Sequence, residues 1–369
     1  MSDIEYMKRA LDLAKKGEGR VNPNPMVGAV IVKNGEIIGE GYHKAWGYLH
    51  AERNAIASVK ESIEGASIYV TLEPCCHYGK TPPCTEAIIN AGIKRVFIGS
   101  ADPNPLVGRK GIEILKEEGI EVNTGILEEE CKELNHVFFH YIKYHRPYVV
   151  MKFAMTTDGK IATATGKSKW ITGEEARKQV HGDRNKYTAI MAGVGTVLAD
   201  NPMLNCRIKG GRNPVRIICD TELRTPLEAN VVITAEEQKT FIATNCTDEN
   251  KIKRYLKKGC EILHIPIDKR GKGVDLDILM DVLGEKDIDS ILLEGGGTLN
   301  SAALQTGIVN RVKAYIAPKI FGGMRSKTPV GGEGIDDPSD AVVLKNSRIV
   351  KIGEDFLIES EVDNCLREL

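Results

Sequence analysis

The sequence predicts two successive α/β domains that meet at His145-Arg146-Pro147. Three observations carry this. The chain has 369 residues, and domains of about 150 residues make two units the natural division. In both halves, short apolar runs alternate with segments of helical periodicity, the pattern of layered α/β structure. Pro147 closes a helical stretch and opens an extended one, so the domains are expected at 1–145 and 146–369.

In the first half, Ile4, Met7, Leu11 and Ala14 recur at helical spacing, predicting a helix over 3–16 that Gly17 and Gly19 end. An Asn/Pro loop, Asn22-Pro23-Asn24-Pro25, follows. Val27 to Val32 is a strand, Asn34-Gly35 a two-residue hairpin turn, and Glu36 to Tyr42 the return strand, which delivers His43. A helix starts near His50, and a strand over Ser67 to Leu72 runs into Glu73-Pro74-Cys75. Then come a helix over 85–90, a strand over 95–99, a helix over 111–118, a strand over 120–124 and one final helix over 128–144.

Composition narrows the function classes. Lys plus Arg total 50 against 51 for Asp plus Glu, so no global basic field attracts nucleic acid. No apolar run is long enough to span a bilayer, and the N-terminus lacks the features of a signal peptide. The nine cysteines are an odd number and, outside 75–84, scattered singly. That fits reduced thiols and a cytoplasmic location.

Residues 50–84 hold the densest chemistry: His50-Ala51-Glu52, Glu73-Pro74-Cys75 and, nine residues after Cys75, Cys84. One imidazole and two thiolates can take three positions around zinc and leave the fourth for water, whose pKa the ion lowers to about 7. Glu52 is placed to exchange protons without being a ligand. The order matches H-x-E…P-C-x-x-C, the signature of zinc deaminases acting on nucleobases, except that the second cysteine comes late. A structural zinc, or none, is the competing reading; Cys76 and His77 could also reach a metal.

Together with Asn22 to Gly28, these motifs resemble the bifunctional riboflavin-biosynthesis deaminase/reductase family, in which the longer cysteine spacing is the usual form. The resemblance implies a cytidine-deaminase-like three-layer first domain, with His50, Cys75 and Cys84 holding zinc and Glu52 as proton shuttle. It implies C2 deamination of 2,5-diamino-6-(5-phosphoribosylamino)pyrimidin-4-one in a pocket lined by Asn24, His43, His77, Lys80, Asp102 and Asn104. Asp102 to Pro105 reads equally well as a plain turn, and Lys80 as a solvated loop lysine.

In the second half, Pro147 to Met155 is a buried strand, Thr156 to Lys160 a turn, 173–186 a helix and Ala189 to Gly193 a strand. Val194 to Pro202 reads as a polar loop. Further strands are expected at 215–219, 231–233, 241–244 and 260–265, with helices at 251–257 and 276–283. Ile291 to Glu294 is a strand ending in Gly295-Gly296-Gly297, with a helix from Thr298. Backbone without side chains at a helix start can approach a phosphate, although glycines after a strand are also ordinary turns.

Met151 to Ala162, Gly195 to Pro202 and Glu294-Gly295-Gly296 resemble the reductase half of the same family, similar in fold to dihydrofolate reductase. The resemblance implies NADPH-dependent reduction of the ribosyl chain to ribityl. Carried over, Ala154, Trp170, Thr196, Asp200, Thr234 and the run Gly296, Gly297, Thr298, Leu299, Asn300, Ser301, Ala302 would hold NADPH. Ser168, Arg184, Leu204, Arg207 and Glu294 would hold substrate, and Lys152 with Glu294 would contact the reacting ribose. A plain structural role remains open for Trp170 as a core or rim aromatic, for Arg184 paired with Glu174 or Glu175, and for Leu204 in packing. The partners expected are small phosphoribosylaminopyrimidines, not nucleic acid or membrane, and a homo-oligomer, dimer or tetramer, is expected. Two rivals stand beside this reading: an RNA-base editor, and a zinc-stabilised binding module without turnover.

Overall fold

The computed structural model describes residues 1–78, 82–104 and 108–363. The chain divides into two compact units, Met1–His145 and Arg146–Leu369.

The first unit runs α1 (Asp3–Ala14), β1 (Gly28–Lys33), β2 (Glu36–Tyr42), α2 (Ala51–Ser58), β3 (Ser67–Leu72), α3 (Cys84–Asn90), β4 (Arg95–Ser100), α4 (Lys110–Glu117), β5 (Glu121–Thr124), α5 (Glu128–Leu134) and α6 (His136–Tyr144). The sheet order is β2-β1-β3-β4-β5. β1 is antiparallel to β2 and β3, while β3, β4 and β5 run parallel. Strand side chains alternate between faces, and here both faces are buried. Ala29, Ile31, Ile68, Val70, Val96 and Ile98 pack with Ala51, Ala55, Ile88 and Leu115 of α2, α3 and α4. Val30, Val32, Tyr69 and Phe97 pack on the other side with Met7, Ala10, Leu11 and Cys131 of α1 and α5. The result is three layers.

The expected single helix over 128–144 is two helices. Asn135 breaks it at φ −110° and turns its amide outward to another segment. Its Oδ1 accepts from the Met26 N–H at 2.8 Å and its Nδ2 donates to the Met26 carbonyl at 2.9 Å. Those bonds tie the loop before β1 to the end of the unit, and they outweigh helical continuity.

The second unit runs β6 (Tyr148–Thr156), α7 (Glu174–Lys186), β7 (Ala189–Gly193), α8 (Val194–Asp200), β8 (Val215–Cys219), α9 (Asn230–Ile233), β9 (Thr240–Thr244), α10 (Glu249–Leu256), β10 (Glu261–His264), α11 (Leu276–Gly284), β11 (Ser290–Leu293), α12 (Gly297–Gln305), β12 (Val309–Ala317), β13 (Leu344–Ile352) and β14 (Asp355–Val362). Its sheet order is β10-β9-β8-β7-β11-β6-β12-β14-β13. From β10 to β12 neighbours run parallel; β14 is antiparallel to both β12 and β13. Phe241, Met191, Leu293 and Met151 pack under Leu279, Leu283 and Ala303 of α11 and α12. Ile190, Ile218 and Ile242 face Val197, Val231, Val232 and Tyr255 of α8, α9 and α10.

Two further expectations are corrected. Val194 to Asp200 is a helix, because Val194 and Val197 fall one turn apart and both bury. Val231 to Ile233 belongs to a short helix, not a strand: Val231 and Val232 both enter the core without ladder partners.

Candidate functional site

In the first unit the candidate ligands sit where strands end and helices begin. His50 is the extended N-cap of α2, Cys75 follows the end of β3, and Cys84 opens α3. His50 Nδ1 lies 3.5 Å from Cys75 Sγ and 3.4 Å from Cys84 Sγ, and the three donor atoms fall within 4.8 Å of one another. Backbone bonds fix this spacing. Cys84 N–H and Thr85 N–H donate to the Cys75 carbonyl at 3.0 and 3.2 Å. Arg53 donates to the carbonyls of Pro82 and Pro83 at 3.2 and 2.9 Å, holding the approach to Cys84.

The electrostatics state what the site needs. The Cys84 thiol, with His50 adding to it, holds Cys75 down at about 4. Cys75 and burial push Cys84 well above the usual thiol range. Without a cation the pair therefore keeps one proton; a divalent ion allows both thiolates. One nitrogen and two sulfurs converging at two helix N-termini suit zinc with a position left open, so the residues fit the ion. Cys76 and His77 are not part of the cluster, and His77 is exposed.

Glu52, in the first turn of α2, is 3% exposed. Burial, with the charge of Cys75, pushes it up to about 7, where a carboxyl both takes and gives a proton near neutral pH. His43 is buried beside His50: its ring lies edge-on to the His50 ring at 5.4 Å, Nδ1 faces the Leu49 carbonyl at 3.2 Å, and Nε2 faces Asn24 Nδ2 at 3.4 Å. A carbonyl only accepts, so Nδ1 carries the proton and Nε2 accepts from Asn24. Burial pushes His43 down, which keeps it neutral. Asp102 is pushed up to about 6 by burial and by Glu73 and Cys75, against the Asn104 N–H it accepts at 2.8 Å. The structure thus gathers Asn24, His43, His50, Glu52, Cys75, Cys84 and Asp102. Lys80 lies outside the described residues.

In the second unit, Glu294 at the end of β11 is the centre of an ion cluster. Arg184 of α7 binds it through Nε at 2.7 Å and Nη2 at 3.0 Å, and Lys152 of β6 stands 3.5 Å from Oε2. Arg184 therefore pairs with Glu294, not with Glu174 or Glu175, and also donates to the Asn205 carbonyl at 3.0 Å. Burial alone would raise Glu294, but Arg184 and Lys152 hold it at about 2. Lys152 also faces the Tyr315 ring at 5.9 Å.

Beside this cluster, β7 and β11 run parallel and end in α8 and α12. Two helix N-termini so lie next to each other, and Thr196 Oγ1 is 3.7 Å from where a Cβ on Gly296 would stand. A Cβ on Gly297 would lie 2.9 Å from the Thr328 carbonyl, so that position has no room for a side chain. Of the run to Ala302, Gly296, Gly297 and exposed Thr298 form the accessible turn. Leu299 and Ala302 pack on the core, and Asn300 and Ser301 are buried. Ser168 Oγ donates to Asp200 at 3.4 Å. Trp170 is exposed under Arg177, 4.6 Å from its ring centre, and so lies outside the core. Ala154 packs against Tyr315 and Val180.

Two of the expected binding positions turn their side chains into the fold. Thr234 Oγ1 accepts from buried Arg216 at 2.8 Å and donates to the Asn230 carbonyl at 2.6 Å, so its hydroxyl is committed inward. The Leu204 side chain sits in the core against the helices α8 and α9, so it packs. Arg207 is exposed.

Comparison with known proteins decides the family. Residues 1–100 match the cytidine and deoxycytidylate deaminase zinc-binding region, and residues 147–358 match the RibD C-terminal domain. The riboflavin biosynthesis protein RibD of Actinobacillus pleuropneumoniae is 57% identical over 97% of this chain and 95% of its own length. The chain belongs to the RibD family. RibD of Aquifex aeolicus is 45% identical over 96% of this chain and 97% of its own. The crystal structure of a Thermotoga maritima diaminohydroxyphosphoribosylaminopyrimidine deaminase/5-amino-6-(5-phosphoribosylamino)uracil reductase superposes with a TM-score of 0.85 at 41% identity, covering 98% of both chains. Like the rest of the RibD family, this is a bifunctional deaminase/reductase of riboflavin biosynthesis, with a zinc-binding deaminase domain and a reductase domain. Among the described residues no helix is long and apolar enough to cross a membrane.

Against this RibD frame, sequence reasoning missed three supporting side chains: Arg53, Asn135 and Glu73. Glu73 stood in the quoted motif without a role. The only signal for it was a carboxylate placed directly before Pro-Cys at a strand end.

Proposed function

We propose that the first unit hydrolyses the C2 amine of 2,5-diamino-6-(5-phosphoribosylamino)pyrimidin-4-one, and that the second unit reduces the ribosyl chain of the product to ribityl with NADPH. The convergence of His50 Nδ1, Cys75 Sγ and Cys84 Sγ beside buried Glu52 carries the first half. Zinc bound by these three side chains supplies Lewis acidity that makes water a ready nucleophile at neutral pH. Glu52 would do the proton work: it takes the water's first proton and passes it to the ring nitrogen, then takes the second from the hydroxyl now on C2 and gives it to the amine, which leaves as ammonia as the C2 carbonyl forms. Neutral His43, held by Leu49, and Asn24, which is bonded to it, would face the base; His77, Asp102 and Asn104, with Lys80 as expected from the sequence, would complete the contacts to the phosphoribosyl arm.

In the second unit, NADPH held by the Gly296 turn, Thr196, Asp200, Ala154 and Trp170 supplies the hydride. Lys152, Arg184 and Glu294 orient the sugar, and Arg207 with Ser168 binds its polar groups. Three guanidinium contacts hold Arg184 in place, which suits a fixed recognition element better than a mobile clamp. The chain works as a homo-oligomer in the cytoplasm; β13 offers an exposed edge nine residues long for a second copy. The test is incubation with the diaminopyrimidine, with and without NADPH, and mass analysis. Ammonia release alone is expected without NADPH, and addition of two hydrogens with it. Hydride addition without prior loss of ammonia overturns the order, and no ammonia release overturns the first assignment.

A further inference from the structure

β3 and β4 are parallel neighbours, and Leu72 is in register with Ser100. Their chains leave the sheet side by side, one as Glu73-Pro74-Cys75 and the other as Ala101-Asp102. Glu73 is buried at this exit, and four backbone N–H groups converge on its carboxylate. Oε2 accepts from Asp102 at 3.2 Å and from Arg109 at 3.1 Å; Oε1 accepts from Gly111 at 3.1 Å and Ile112 at 3.3 Å. Gly111 and Ile112 lie in the first turn of α4, where free N–H groups and the helix dipole favour an anion. Glu73 is that anion, supplied from within the fold. One oxygen gathers both ends of the segment between residues 102 and 109, and the other fastens it to the helix.

We propose that Glu73 is the positioning residue of the deaminase pocket: it fixes Asp102 and Asn104 relative to Cys75, so that the substrate's arm meets these two side chains already in place. The backbone allows no slack at the contact. A Cβ on Gly111 would stand 2.3 Å from the Pro74 carbonyl and 3.2 Å from Glu73 Oε1, so a methyl group there must push α4 off the carboxylate. Glutamine at 73 keeps the shape but turns an N–H2 toward two of the four donors. The inference rests on the reading that Asp102 and Asn104 face substrate.

The experiment compares Glu73→Gln, Gly111→Ala, Asp102→Asn and Asn104→Ala in the full chain. It measures zinc content, kcat and KM for ammonia release, reductase rate, and amide exchange over residues 108–117. For Glu73→Gln and Gly111→Ala, KM should rise about tenfold with kcat within about threefold. Zinc should stay at one per chain, exchange should quicken, and reduction should be unchanged. Loss of zinc in Glu73→Gln, or unchanged exchange, overturns the proposal, since the carboxylate then serves the metal site or holds nothing. If Asp102→Asn raises KM and Glu73→Gln does not, the proposal falls alone. If Asp102→Asn and Asn104→Ala leave KM unchanged, the reading of the loop falls and takes the proposal with it.

Discussion

Replacing Glu294 by glutamine isolates the ion cluster of the reductase unit. The carboxylate takes two bonds from Arg184 and one longer contact from Lys152, with a side chain only 12% exposed. These cations hold it at about 2 against an ordinary 4.5, a displacement equivalent to about 3 kcal/mol. Glutamine keeps one acceptor for Arg184 Nε, presents an N–H2 to cationic donors, and leaves two buried cations without a counter-charge. The expected cost is about 3 kcal/mol, the range for breaking a buried pair from one side. The pH dependence has a definite sign. A depressed carboxylate stabilises fully above its unfolded value near 4.5 and loses that contribution as pH falls toward 2. The difference in stability between wild type and variant should therefore shrink between about pH 4.5 and pH 2. Urea unfolding read by hydrogen exchange in β11 peptides measures this within the second unit. A variant within about 0.5 kcal/mol of wild type at pH 7, or a difference that does not change with acid, refutes the reasoning.

Other consequences follow from the same contacts. Glu52→Gln should retain zinc and lower ammonia release by about 100- to 10,000-fold, measured by metal analysis beside a steady-state assay; intact release removes Glu52 as proton carrier. Stripping the metal with a chelator should stop deamination and spare reduction, and equal loss of both activities in one preparation would count against separate sites. Asn135→Leu leaves the Met26 N–H and carbonyl unpaired, which should cost about 3 kcal/mol in the first unit, read by exchange in α5 and α6. Gly297→Val should raise the KM for NADPH without changing ammonia release, because its side chain meets the Thr328 carbonyl.

The sequence disclosed the layered architecture wherever residues spoke to near neighbours. The Asn34-Gly35 turn, the strand over Ser67 to Leu72 and the helix start at His50 are local signals, and each stands where expected. The metal cluster was legible because its three side chains are chemically distinctive and bracketed by a strand and a helix start. Misreadings arose where distant partners decide. Asn135 breaks a helix only because Met26 lies within reach. Val231 and Val232 look like strand residues until the pocket they fill is known. The pairing of Arg184 with Glu294, 110 positions away, could not be ranked against nearer glutamates by spacing. Strand β13 went unread because it is exposed along nearly its whole length and shows no buried face to the pattern; β12 and β14, both largely buried, also went unread.

The position of β6 has a consequence for the newborn chain. It is the first strand of its unit to leave the ribosome, yet its neighbours are β11 and β12, the latter ending at Ala317. Domains fold in order of emergence, so the metal-binding unit can consolidate once residue 145 is out. The apolar residues of β6, by contrast, must wait for more than 150 further residues. That interval is when the polypeptide is most exposed to wrong partners, and truncation anywhere before the last long parallel strand should leave a working front half trailing an aggregation-prone tail.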